Sequence, residues 1–147
     1  VDENTNLTLA GVDYSFHHVP GHTSDSMIIA IPGHIFTGDF LFNGGAGVGR
    51  DDLPSGRLQE HWDSIQSLGH LSDDVLVCSG HEPLGTELQT LGWNREHNPI
   101  MTMKRFDEFV VWQNETAEKL GSVSKIKTAL PANLFAEIPE HIPWLSR

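Results

Sequence analysis

Three times in this chain an apolar, strand-like stretch ends in a small residue followed at once by a metal-competent side chain. Tyr14–Val19 runs into Pro20-Gly21-His22, Ile35-Phe36-Thr37 into Gly38-Asp39, and Val75–Val77 into Ser79-Gly80-His81. Glycine has no Cβ, so the backbone can turn sharply there and carry the next side chain over the end of the strand. Parallel placement of three such strands would converge an imidazole, a carboxylate and a second imidazole on one point. A chain with this repeat is a layered sheet protein whose polar groups sit in the loops at strand ends.

The remaining pattern agrees. Leu7, Leu9 and Val12 alternate loosely with small or polar residues, and Met27–Ile31 is a continuous apolar run, the pattern of a strand buried on both faces. Pro32-Gly33 is a turn, and Asn43–Gly49 is a glycine-rich loop. After Pro54, Leu58, Trp62, Ile65 and Leu68 recur at helical spacing, with Ser55 as N-cap and Gly69 just past the end. A second helix is expected from about Thr102 to Leu120, with Met103, Phe106, Val110, Ala117 and Leu120 as its apolar face and Gly121 as its stop. Residues 122–147 are Pro-interrupted and read as an irregular tail. Strands first, then strand–helix–strand–helix, predict an α/β or α+β layered architecture in a single domain spanning residues 1–147.

Charge narrows the partners. The formal net charge is −11, which argues against nucleic acid and against an anionic membrane surface. No apolar run approaches the roughly 20 residues of a membrane span, and no Lys/Arg-led apolar leader opens the chain, which begins with Val1. The lone Cys78 rules out an internal disulfide and fits a reducing, cytoplasmic setting.

Two histidines and one carboxylate are a ligand set for a divalent transition metal, Zn or Fe. A single loop histidine is ordinarily a solvated surface residue, and Gly-Asp after a strand is often only a turn; spacing alone leaves both readings open. The other histidines are read as non-ligands: His17 and His18 alternate sides of a strand, His34 lies in a turn, His61 and His70 on or beside a helix, His97 next to the helix-start turn Asn98-Pro99, and His141 in the tail.

Pro20-Gly21-His22-Thr23-Ser24-Asp25-Ser26, Phe36-Thr37-Gly38-Asp39-Phe40-Leu41-Phe42 and Ser79-Gly80-His81 together resemble the metallo-β-lactamase superfamily. Within it the resemblance is closest to the glyoxalase II and persulfide dioxygenase branch. Gly49-Arg50-Asp51-Asp52 is similar to that branch's G-R-x-D motif, and Asn98-Pro99 and Leu130-Pro131-Ala132-Asn133 to the persulfide dioxygenase tail. The resemblance implies the C-terminal half of an αββα sandwich, a mixed sheet with flanking helices, with His22, Asp39 and His81 as metal-site residues and Asp39 at the reaction centre. In a dioxygenase, Fe(II) would be held by His22, Asp39 and a histidine of the N-terminal motif, with His81 beside the metal. In a glyoxalase II, Asp39 would bridge two Zn(II) ions, with His22 on one and His81 on the other. The short stretch after His81 favours the dioxygenase branch. The implied substrate is a small thiol derivative, a glutathione conjugate. Arg50 is the best local cation for it, or else the partner of an ion pair with Asp51, Asp52 or a neighbour.

Two departures stand out. The superfamily's H-x-H-x-D-H motif does not occur in this sequence, and Pro83 follows His81-Glu82 where the dioxygenase branch carries an aromatic hydroxyl residue. The chain is therefore expected to show little turnover alone, and either to meet a separate N-terminal half or to self-associate.

Overall fold

The computed structural model describes residues 2 and 4–121. Within them, five strands form one sheet in chain order: β1 (Leu7–Leu9), β2 (Val12–His18), β3 (Met27–Ile31), β4 (His34–Gly38) and β5 (Leu76–Ser79). β1 to β4 are antiparallel neighbours. β5 lies parallel to β4 after a crossover that contains helix α1 (Leu58–Ser67), the kind of long connection that parallel strands require. Direction reverses twice between β2 and β4, so β2, β4 and β5 all point the same way. Their C-terminal ends share one edge of the sheet, and His22, Asp39 and His81 follow those ends.

Ile28, Ile35 and Val77 are buried with Ile65, Leu68 and Phe109 in the main core. Ile29 and Phe36, directly opposite each other in register, project to the other face and remain 37% and 44% exposed. The expectation that Met27–Ile31 is buried on both faces is therefore corrected. The apolar run makes both faces of the strand apolar, but among the described residues the helices cover only one.

Helix boundaries also differ from the sequence reading. Arg57, not Ser55, occupies the N-cap of α1, without a side-chain cap; the Ser55 hydroxyl accepts the Ser24 amide instead. Gly69 lies inside a 3-10 turn, Leu68–His70, that extends the helix. α2 (Leu91–His97) was not anticipated; the Thr90 side chain caps it by accepting the Trp93 amide. Asn98 then caps the short α3 (Pro99–Thr102), accepting the amides of Ile100 and Met101. α4 spans Phe106–Leu120. Its buried positions are Phe109 and Gln113, whereas Leu120 is 62% exposed. Of the expected face, Met103 and Phe106 pack against the core and Val110 and Ala117 are half-buried; the face extends to Phe109, whose ring packs against His61 and Trp62 of α1, and leaves out Leu120. The expected tail and its Leu130–Asn133 motif lie outside the described residues. Among the described residues no helix is long and apolar enough to cross a membrane.

Candidate metal centre

β4 and β5 bring Asp39 and His81 together. Their parallel register pairs Gly38 with Ser79, and the Gly80 amide donates to the Gly38 carbonyl at 2.8 Å. The residues one step further on then meet: His81 Nδ1 lies 3.0 Å from Asp39 Oδ1. A side chain at position 80 would obstruct this, since its Cβ would fall 2.6 Å from Asp39 Oδ1.

His22 is held from another direction. Its Nδ1 lies 2.5 Å from the Arg50 carbonyl. A carbonyl only accepts, so Nδ1 carries the proton and Nε2 keeps its lone pair. This is the arrangement in which a backbone carbonyl sets the tautomer and orientation of a metal-binding imidazole. The approach depends on Gly49, where a Cβ would strike the Asp39 carbonyl and reach 2.7 Å from His22 Nδ1.

His22, Asp39, His81 and Arg50 all line one cleft of about 670 Å³, walled on the α4 side by Trp112, Thr116 and Lys119. The three residues expected to converge thus line the same cleft. They do not meet at bonding distance: among the described residues no three His, Cys, Asp or Glu side chains are gathered closely enough to hold an ion. Asp39 is turned to His81 and His22 to a carbonyl, so each donor has its partner within the fold. The donor set still suits a divalent transition metal, two imidazoles and a carboxylate, and two glycines keep the space around it clear.

Arg50 was open to two roles, and its side chain is in an ion pair. Nε and Nη2 grip both oxygens of Asp52 at 2.5 and 2.6 Å, and Nη2 also donates to the Gly121 carbonyl at 2.9 Å. That guanidinium holds the Asp52 carboxyl below the usual carboxylate range. Neighbouring Asp51 behaves oppositely: burial pushes its carboxyl up to about 6.

Two groups near the site were missed. Glu82 Oε1 accepts from the Asn43 amide (2.8 Å), Asn43 Nδ2 (2.9 Å) and the Ser79 hydroxyl (2.7 Å). It ties the residue after His81 to the glycine-rich loop. Asn94 and Asn98 fasten the same loop through the Gly44 amide and the Phe42 and Gly47 carbonyls, so Asn43–Gly49 is a fixed wall. Apart from the Ser79–Glu82 bond, three positions apart, these bonds join residues 39 to 56 positions apart, and no local pattern announces them. The second is His61, fully buried, with its imidazole pushed down to about 4 by burial. Here a signal existed: His61 falls on the same helical stripe as Leu58, Trp62 and Ile65.

The family model for the metallo-beta-lactamase superfamily matches residues 3–81. The chain belongs to the metallo-β-lactamase superfamily. Within this superfamily it is 35% identical to the hydroxyacylglutathione hydrolase GloC of Haemophilus influenzae over 109 residues, covering 67% of this chain and 45% of that one. Its fold matches the crystal structure of ETHE1 from Myxococcus xanthus with a TM-score of 0.78 at 28% identity, covering 90% of this chain and 58% of that one. It also matches TTHA1623, solved in a di-iron-bound form, with a TM-score of 0.56 at 32% identity, covering 67% and 46%. The chain spans less than half the length of the curated relatives it matches.

Proposed function

We propose that this chain supplies His22 and Asp39, with His81 beside them, to the metal centre of an enzyme acting on a glutathione-derived sulfur compound, in the manner of the persulfide dioxygenases. The observation that carries the reading is the hydrogen bond between His81 and Asp39 at 3.0 Å alongside a His22 ring oriented by the Arg50 carbonyl. It favours His22 and Asp39 as ligands and His81 as the group that orients the Asp39 carboxylate. Fe(II) held there with one further histidine would supply a facial triad with open positions for O2 and a sulfur substrate. The chain's own residues perform the rest. Gly49 and Gly80 keep space for the ligands, and the fastened Asn43–Gly49 loop and Trp112 wall the cleft. Substrate anchoring by Arg50 would require its fork to leave Asp52; Lys119 is a second cation lining the cleft. The sequence contains no H-x-H-x-D-H, so activity of this chain by itself should be slight.

A second reading, a dizinc glutathione thioester hydrolase, is favoured by the 35% identity to GloC. In it His81 would be a ligand in its own right and Asp39 would be shared between the ions.

Metal titration separates the two. The purified chain is titrated with Fe(II) and Zn(II), and binding is compared in His22→Ala, Asp39→Ala and His81→Ala. The dioxygenase reading expects iron binding that the first two substitutions weaken and the third leaves unchanged. Zinc binding weakened by all three substitutions supports the hydrolase. Unchanged binding in Asp39→Ala overturns both.

A further inference from the structure

Beneath the candidate centre lies a buried polar pair that none of the assigned roles uses. Gln113 of α4 is 3% exposed and His61 of α1 fully buried. Gln113 Nε2 donates to the Gly49 carbonyl at 2.9 Å and faces His61 Nδ1 at 3.4 Å. An amide NH2 has two hydrogens, one for each of these acceptors. His61 is packed between the rings of Phe40 and Phe109 and is neutral there, so its Nδ1 is free to accept. That acceptor selects the orientation of the Gln113 amide: NH2 toward Gly49, oxygen away from its carbonyl.

The pair is not a device for stability. Among the described residues, His61 Nε2 and Gln113 Oε1 are buried without a hydrogen-bond partner, and an apolar pair of the same shape would avoid that cost. What the pair grips is the segment next to the site. Gly49 precedes Arg50, whose carbonyl holds His22 Nδ1, and Gly49 itself lies against the His22 ring. From the other side, α1 grips the turn that precedes His22. A Cβ at Gly21 would strike the backbone of His61, the Arg57 amide donates to the Gly21 carbonyl at 2.8 Å, and the Ser64 hydroxyl donates to the Pro20 carbonyl at 2.8 Å.

We propose that Gln113, with its amide oriented by His61, is a positioning residue that fixes the Gly49–Arg50 peptide and through it the tautomer and aim of the His22 imidazole. The consequence for metal rests on the reading of His22 as a ligand; the positioning itself does not. Loss of the pair removes the anchor on the Gly49 carbonyl, leaving the Gly49 amide's bond to the Phe40 carbonyl at 3.4 Å, and lets the Arg50 carbonyl shift. His22 then exchanges between tautomers, and metal affinity falls about 10- to 100-fold, the usual effect of losing an orienting partner.

The test uses the full 147-residue chain in three forms: wild type, Gln113→Met, and the double variant His61→Leu/Gln113→Met. The double variant exchanges both polar members for apolar ones, so it stays folded even if the single variant does not. Nitrogen-15 NMR of the metal-free proteins at about pH 8.5, two units above a reference imidazole, reads the His22 ring directly. Wild type should show a protonated Nδ1 and a bare Nε2, and both variants a tautomer mixture. Zn(II) affinity by chelator competition should fall in both, while thermal unfolding recovers in the double variant. Unchanged His22 ring signals in the double variant overturn the proposal, as does unchanged Zn(II) affinity in both variants when His22→Ala abolishes binding. If His22→Ala also leaves Zn(II) affinity unchanged, the ligand reading has failed, and the ring signals alone decide the positioning.

Discussion

A glycine and a buried imidazole set the tolerances around the centre. Gly80 leaves room for the Asp39 carboxylate, and an added methyl would fall 2.6 Å from Oδ1. Because Asp39 is half-exposed and its side chain can swing, Gly80→Ala should cost only about 1–2 kcal/mol of stability yet lower Zn(II) affinity more than tenfold; thermal unfolding and metal titration of the same variant check both. His61 bears on pH. Burial lowers its pKa from 6.5 to about 4, so between those values the unfolded chain binds a proton that the folded one refuses. Stability is therefore greatest above pH 6.5 and declines as pH falls to about 4, a loss on the order of 3 kcal/mol. Asp51, raised to about 6, works the other way: its folded form gains relative stability as pH falls from 6 toward 3.8. The comparison that isolates His61 is denaturant unfolding of wild type and His61→Leu across this window, where the variant should lack the His61 component of the slope.

Among the elements, the ends of β4 and β5 matter more than their middles. Asp39 and His81 meet because parallel register brings Gly38 beside Ser79. The loop beyond is tied to β5 by one carboxylate oxygen that accepts three hydrogen bonds. Truncating Glu82 leaves the Asn43 amide without an acceptor, while the Ser79 hydroxyl keeps the His81 carbonyl and Asn43 Nδ2 the Val77 carbonyl, so Glu82→Ala should destabilise by about 1–3 kcal/mol, measured by urea unfolding, and Glu82→Gln, which keeps an acceptor oxygen, by less. β2 to β5 were legible in the sequence from apolar runs punctuated by Gly and Pro, and α1 from its stripe. α2 was not, because seven residues give too little periodicity to register. The face of α4 was read only in part: Met103 and Phe106 pack on the core as expected, but Gln113, polar by composition, is buried with a bond to Gly49. Helical spacing ranks residues by hydropathy and cannot see a buried acceptor waiting for a polar one.

At the scale of the whole molecule, the sheet face that the described residues leave open is the conspicuous feature. Ile29 and Phe36 stand opposite each other there, 37% and 44% exposed, and contiguous exposed apolar surface on a sheet favours association. Light scattering at tens of micromolar should give a mass above that of one chain, reduced in Phe36→Ser; a clean monomer for the wild type would refute the expectation. The sequence by itself determined the strand ends, where glycine before a polar residue is a local signature with a local cause, and it singled out His22, Asp39 and His81 as candidates; the superfamily was legible only through the resemblance of the three motifs taken together. Only the tertiary structure decided that Arg50 is bound to Asp52, that its carbonyl rather than its guanidinium serves His22, and that Glu82, His61 and Gln113 brace the site. Those facts depend on which groups meet across tens of residues, and such meetings are set by the packing of α1 and α4 on one face of the sheet.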